Sequence, residues 1–263
     1  MSDDRPIGIF DSGVGGLSVF QEVTKLLPNE PVVYFADQAN VPYGNKTESE
    51  LQNLVENALN FFLKKNVKMV ILACNTASVY TLEHLRAKFD IPIIGTVPVV
   101  KTLAENTKTG RVAILSTPAT ADSPYLAALI NQFASDKHVV ILGQTGLEKF
   151  VEEGDIDNPE IEKILNEHLS PLITSENIDA VALSCTHYPF LRERIEEVVG
   201  KNVKVYDSGG AIARHAKRIL KQNKTLAKSL PSHEFYTTGE VEKFKSVAKI
   251  YVGELALVGK ARI

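Results

Sequence analysis

Short runs of β-branched and other apolar residues alternate with stretches of helical apolar spacing along most of this 263-residue chain. The runs are "PIGIF", "PVVYFAD", "VKMVILAC", "IPIIG", "GRVAILST", "HVVILG", "DAVALSC" and "VKVYDSG". Between them, Leu17, Phe20, Val23 and Leu27 fall on one helical face, as do Leu51, Leu54, Ala58, Phe61 and Phe62. The second of these helices opens on a capping-box pattern, Thr47 with Glu50 three residues on. Strands that alternate with helices predict βαβ units and an α/β fold with parallel, doubly wound sheets. Further on, "HEFYTT" and "KIYVG" read as two short strands around a helix.

In such sheets ligands bind beyond the carboxyl ends of the strands, where loops lead into helices. Five polar segments fall there: "DSGVGG", "ADQANVPYG", "CNTAS", "STPATADS" and "CTHYP". Two of them carry the only cysteines, and "VILACNTAS" resembles "VALSCTHYP" in running apolar, small, Cys, then polar. They stand about one domain length apart, and "FDSG" at Phe10 echoes "YDSG" at Tyr206. This predicts two α/β domains related by pseudo-symmetry, each supplying one thiol to a cleft between them. The chain would cross to the second domain near Gly95–Pro98 and return near Asp207. The first domain is then discontinuous, residues 1–96 and 208–263 with Cys74, and the second is residues 97–207 with Cys185.

Composition narrows the function classes. Hydrophobic residues at 44% and charged residues at 23% are those of a globular protein with a sizeable core. A net charge of −3 without long single-sign blocks gives no footprint for nucleic acid as main partner. The basic stretch Ala213–Lys228 has no interleaved aromatic residues and reads as a solvated helix face. No window approaches the roughly 20 apolar residues of a membrane span, and the acidic start lacks an export signal, so the expected location is the cytoplasm. There two cysteines are expected as free thiols.

A cysteine at a strand's carboxyl end, just before a helix, sits where backbone N–H groups and the helix dipole favour thiolate. Its neighbours Asn75, Thr76, Thr186 and His187 are donors suited to a small anion. Two such thiols could hold a metal, form a redox pair, act as nucleophile and bystander, or transfer protons. Metal is disfavoured because three or four ligands are needed and neither CxxC nor HExxH occurs; redox pairing also favours CxxC, and a Cys-His nucleophile leaves Cys74 unexplained. Proton transfer uses both: inverting a carbon that bears an acidic hydrogen needs one group to remove the proton and another to deliver one to the opposite face.

The motifs "GIFDSGVGG", "PYG", "ACNTAS" and "CTHYP", in this order and spacing, resemble those of the glutamate racemase family, within the aspartate/glutamate racemases. The resemblance implies cofactor-independent interconversion of L- and D-glutamate, the latter for peptidoglycan, with no metal. It implies that Cys74 acts on the D-enantiomer and Cys185 on the L-enantiomer, with Asp11 near the first thiol and His187 and Glu152, in "FVEEG", near the second. It assigns substrate contacts to Asp11, Ser12, Tyr43, Gly44, Asn75 and Thr76, and to Thr117, Thr186 and His187, with Thr120 a weaker candidate. Gly13, Gly15 and Gly16 would let backbone approach the ligand. A homodimer is compatible with the resemblance.

Two positions depart from the family pattern. Ser184 stands before Cys185 where Gly is usual, and "GTVPVV" replaces a Glu-Pro-Gly type of turn. Two other readings stay open: a racemase of aspartate or another small acid on the same scaffold, and a small-ligand binding protein whose cysteines are inert.

Overall fold

The alternation in the sequence becomes an alternation in space, in a computed structural model that describes residues 2–262. One compact unit takes the chain up to Thr96 together with the chain from Gly209; Val97–Ser208 form the other. The first unit begins β1 (Ile7–Asp11), α1 (Leu17–Leu26), β2 (Val32–Ala36), α2 (Glu48–Lys64), β3 (Met69–Leu72), α3 (Asn75–Lys88) and β4 (Ile93–Gly95). The second contains α4 (Val100–Asn106), β5 (Arg111–Ser116), α5 (Pro118–Ala121), α6 (Pro124–Phe133), β6 (His138–Gly143), α7 (Leu147–Glu153), α8 (Pro159–His168), α9 (Ser170–Glu176), β7 (Ala180–Ser184), α10 (Arg192–Val199) and β8 (Lys204–Tyr206). The chain then adds α11 (Gly209–Gln222), β9 (Glu234–Thr237), α12 (Val241–Val252) and β10 (Val258–Lys260) to the first unit.

Every strand pairing is parallel. The first sheet runs β10-β9-β2-β1-β3-β4 and the second β6-β5-β7-β8. Counted from each unit's first strand, both contain the order second-first-third-fourth, the topological basis of the internal similarity. Its reversal lies between the first and third strands, the position at which a doubly wound sheet opens a crevice at its carboxyl edge.

Helices on both faces of the first sheet bury all five residues of β1 and of β2, which is why these strands read as continuous apolar runs. Phe10, Phe35 and Phe62 pack on one face with Leu51, Val55 and Leu59 of α2. On the other, Tyr34 and Phe235 meet Phe20 of α1 and Phe244 of α12. The second unit's core gathers Val112, Ile114, Ala180 and Ala182 against Val100, Leu103 and Leu126. The capping box at Thr47 forms as its spacing predicts, with both reciprocal bonds to Glu50.

One expected strand is corrected. Lys249–Val252 close α12 instead of forming a strand, and the last strand is β10. Phe244, Val247 and Ala248 are the buried residues of that helix, a spacing of three and four that the five letters "KIYVG" are too few to reveal. Residues 213–222 of the basic stretch lie in α11, which buries Ile212, Ala213, Ala216 and Leu220.

Candidate active site

In the first unit the predicted residues gather at the carboxyl ends of β1 and β3. Cys74 is the N-cap of α3, where serine or aspartate is usual. Its sulfur accepts from the Ala77 N–H at 3.5 Å and from Ser12 Oγ at 3.7 Å. A helix N-terminus and a hydroxyl donor both favour negative charge on that sulfur. Asp11 ends β1, fully buried, and accepts from the Gly13 N–H at 3.2 Å. Asn75 and Thr76 are buried in the first turn of α3. The Asn75 Nδ2 has no hydrogen-bond partner among the described residues, an unspent donor one residue past the thiol. Gly44 faces open space: a Cβ there would meet nothing.

Tyr43 is fixed by a residue the sequence reading gave no role. Asp37, buried just past β2, accepts from Tyr43 Oη at 2.6 Å, from Thr238 Oγ1 at 2.8 Å and from Asn40 Nδ2 at 2.9 Å. Burial, then Asp37, with smaller contributions from Cys74 and Asp11, pushes the Tyr43 phenol far above its ordinary range, so it remains a protonated donor. Asp37 lies inside "ADQANVPYG", but the contact depends on a turn the letters do not specify.

The "DSGVGG" loop is held as tightly. Tyr34 Oη donates to the Gly13 carbonyl at 2.8 Å. A Cβ on Gly16 would lie 2.6 Å from Asp11 Cβ, 2.8 Å from Tyr34 Oη and 3.0 Å from Ala73 Cβ. Gly16→Ala is therefore expected to displace Asp11 and to cost about 1–3 kcal/mol, read as a lowered Tm with a larger loss of activity than Gly44→Ala gives.

In the second unit, Cys185 follows β7, but its setting differs from the expected one. No helix starts on it: a 3-10 turn, Tyr188–Leu191, precedes α10. A histidine takes the place of the helix terminus. His187 Nδ1 lies 3.4 Å from Cys185 Sγ, and His187 Nε2 lies 2.7 Å from Glu152 Oε1. Glu152 rather than Glu153 makes this bond, because the phase of α7 turns Glu153 to solvent. Burial pushes the Cys185 thiol up, and His187 pulls against it. Burial alone would lower His187, yet Cys185 and Glu152 hold it well above its ordinary value. The triad thus keeps a proton on the imidazole, and imidazolium favours thiolate.

Thr117 caps α5, accepting from the Thr120 N–H at 3.3 Å and donating to Thr120 Oγ1 at 3.1 Å. Thr120 and Thr186 are buried. Ser184, one of the departures from the family pattern, is fully buried, and its Oγ has no hydrogen-bond partner among the described residues. Such a hydroxyl costs about 1–3 kcal/mol. Ser184→Ala is expected to stabilise the protein by about 1 kcal/mol, read as a raised denaturant midpoint.

Both cysteines are free and only 6% exposed. Among the described residues no group of three or more His, Cys, Asp or Glu is placed to hold a metal ion, and no helix is long and apolar enough to cross a membrane.

Two parallel α/β units of matching strand order, each with a thiol after its third strand, define a class that comparison identifies. The chain belongs to the Asp/Glu/hydantoin racemase family, whose model matches residues 7–216. It is 39% identical to the glutamate racemase of Pseudomonas entomophila over 245 residues, 92% of each chain. Its fold matches the crystal structure of glutamate racemase isoform RacE1 from Bacillus anthracis with a TM-score of 0.91, at 32% identity and covering 98% of both chains. It also matches Escherichia coli glutamate racemase, crystallised with L-glutamate and the activator UDP-MurNAc-ala, with a TM-score of 0.88 at 32% identity, covering 97% of this chain and 98% of that one.

Proposed function

We propose that this protein interconverts L- and D-glutamate without a cofactor, Cys74 and Cys185 exchanging the α-proton. One observation carries the route: a buried thiol follows the third strand in both units, each beside donors that stabilise its anion. Similarity over nearly the whole chain to proteins named glutamate racemase supports the substrate.

In the L-to-D direction the Cys185 thiolate takes the α-proton. The C–H electron pair moves into the α-carboxylate, and the Cys74 thiol delivers its proton to the opposite face. Cys185 ends as thiol and Cys74 as thiolate, so the reverse reaction starts from the state the forward one leaves. His187, backed by Glu152, stabilises the Cys185 thiolate; the Ser12 hydroxyl, the Ala77 N–H and the α3 terminus do so for Cys74, with Asp11 as its proton relay. Ser12, Tyr43, Gly44, Asn75 and Thr76 offer donors to one end of the substrate and Thr117, Thr186 and His187 to the other. A homodimer is compatible with this scheme, because each chain carries both thiols. The expected role is D-glutamate supply for peptidoglycan in the cytoplasm.

Incubation with L-glutamate in deuterated water is expected to give D-glutamate with deuterium at the α-carbon. A folded sample that yields neither inversion nor exchange overturns the proposal, and faster turnover of aspartate would move the substrate to the shorter acid.

A further inference from the structure

Helix α7 carries two carboxylates one turn apart, and both reach the segment that follows Cys185. Glu152 bonds His187. Glu148, four residues earlier, lies with Oε1 3.4 Å from the hydroxyl of the next residue, Tyr188. That hydroxyl also lies 3.3 Å from the Gln144 carbonyl and 3.4 Å from the Ser116 carbonyl. A phenol has one hydrogen to donate, so three acceptors compete for it. The Tyr188 ring is fully buried. Burial, followed by the charges of Cys185 and Glu148, pushes its phenol well above the ordinary value, and the hydroxyl stays neutral beside the thiol.

The two carboxylates act on Cys185 with opposite sign. Glu152 favours imidazolium at His187, which favours thiolate; the negative charge of Glu148 disfavours thiolate directly. The titratable groups that meet this segment are His187, in contact with the sulfur, and Tyr188, together with Glu152 and Glu148 from α7; the Ser116 and Gln144 carbonyls at the ends of β5 and β6 meet the Tyr188 hydroxyl and carry no charge. Burial raises the Cys185 thiol most, the His187 pair pulls it down, and Glu148 adds to the side of the thiol; without Glu148 the balance moves towards thiolate, a better proton acceptor but a poorer donor. A reversible reaction needs both states within reach of one pH.

We infer that Glu148 is a positioning residue for Cys185: anchored on Tyr188, its carboxylate opposes the Glu152–His187 arm and keeps the thiol able to give a proton as well as take one. The inference rests on the proposed role of Cys185, but its first test does not. With only two cysteines in the chain, protein labelled at cysteine 13Cβ gives two resonances, assigned by the single alanine variants and titrated against pH. In Glu148→Gln the Cys185 midpoint is expected to fall by about half a unit or more, with Cys74 unmoved. Glu152→Gln is expected to raise it. Glu148→Asp, which keeps the charge, is expected to stay near the parent. An unmoved Cys185 midpoint in Glu148→Gln, a shift shared with Cys74, or a Glu148→Asp variant that behaves like Glu148→Gln overturns the inference. In the racemisation assay, the acid limb of kcat/KM for L-glutamate should move to lower pH in Glu148→Gln. Loss of glutamate turnover in the parent would sink the function while leaving the thiol titration to judge Glu148.

Discussion

Cys185→Ala and Cys74→Ala are each expected to lower racemisation in both directions by about 10²–10⁴-fold, because inversion needs an acceptor on one face and a donor on the other. The pattern of what survives is more telling than the loss. Cys185→Ala retains Cys74, so it should still wash deuterium slowly into D-glutamate without inverting it; Cys74→Ala should do the same for L-glutamate. A single-base enzyme would instead lose exchange with one variant and keep both inversion and exchange with the other. An inert binding protein would show no difference at all. Each substitution replaces one buried thiol by a hydrogen on a retained Cβ, so the fold should survive, with a Tm near the parent's. Exchange measured by proton NMR on each pure enantiomer separates the three outcomes.

The sequence announces the inner strands because both of their faces are covered, so apolar residues run through β1, β2 and β3. The thiols are equally visible, since Cys74 and Cys185 end such runs. What lies beyond the strand ends is less legible. "CNTAS" and "CTHYP" look alike as strings, yet one becomes a helix N-cap and the other a 3-10 turn with a histidine partner. Proline at 189 and the phase of the following helix decide that, and neither changes the apolar pattern. Glu152 and Glu153 are neighbours in sequence and point apart in α7. Glu148 and Tyr188 meet across 40 positions, and only the i, i+4 spacing of Glu148 with Glu152 hinted at a shared face. Asp37 and Tyr43 are six apart, joined by a turn whose path no periodicity encodes.

The largest stability effect is expected at the opposite end of β3. Lys68 Nζ lies 2.5 Å from Glu30 Oε2, with both side chains 1% exposed, and also donates to the Asp3 carbonyl at 2.6 Å and the Thr225 carbonyl at 2.8 Å. Two of its hydrogens go to those carbonyls, and the Glu30 carboxylate balances its charge. Glu30 Oε1 accepts from the Ala227 N–H at 2.8 Å, so the pair ties the start of β3 to segments near both ends of the chain. Lys68→Met strands a carboxylate in the interior and is expected to cost about 3–5 kcal/mol, a fall in Tm of roughly 6–20 °C at this chain length. Lys68→Met with Glu30→Met should recover most of the loss, because removing both charges removes the desolvation that made one alone so costly. By contrast Arg86 and Glu83, a pair 44% and 75% exposed, should move stability by less than about 1 kcal/mol when broken. Activity per folded molecule should be unchanged in the double variant, since Lys68 precedes the strand whose other end leads to Cys74. A double variant as unstable as Lys68→Met would mean that the carbonyl bonds, and not the buried charge, hold this end of the sheet together.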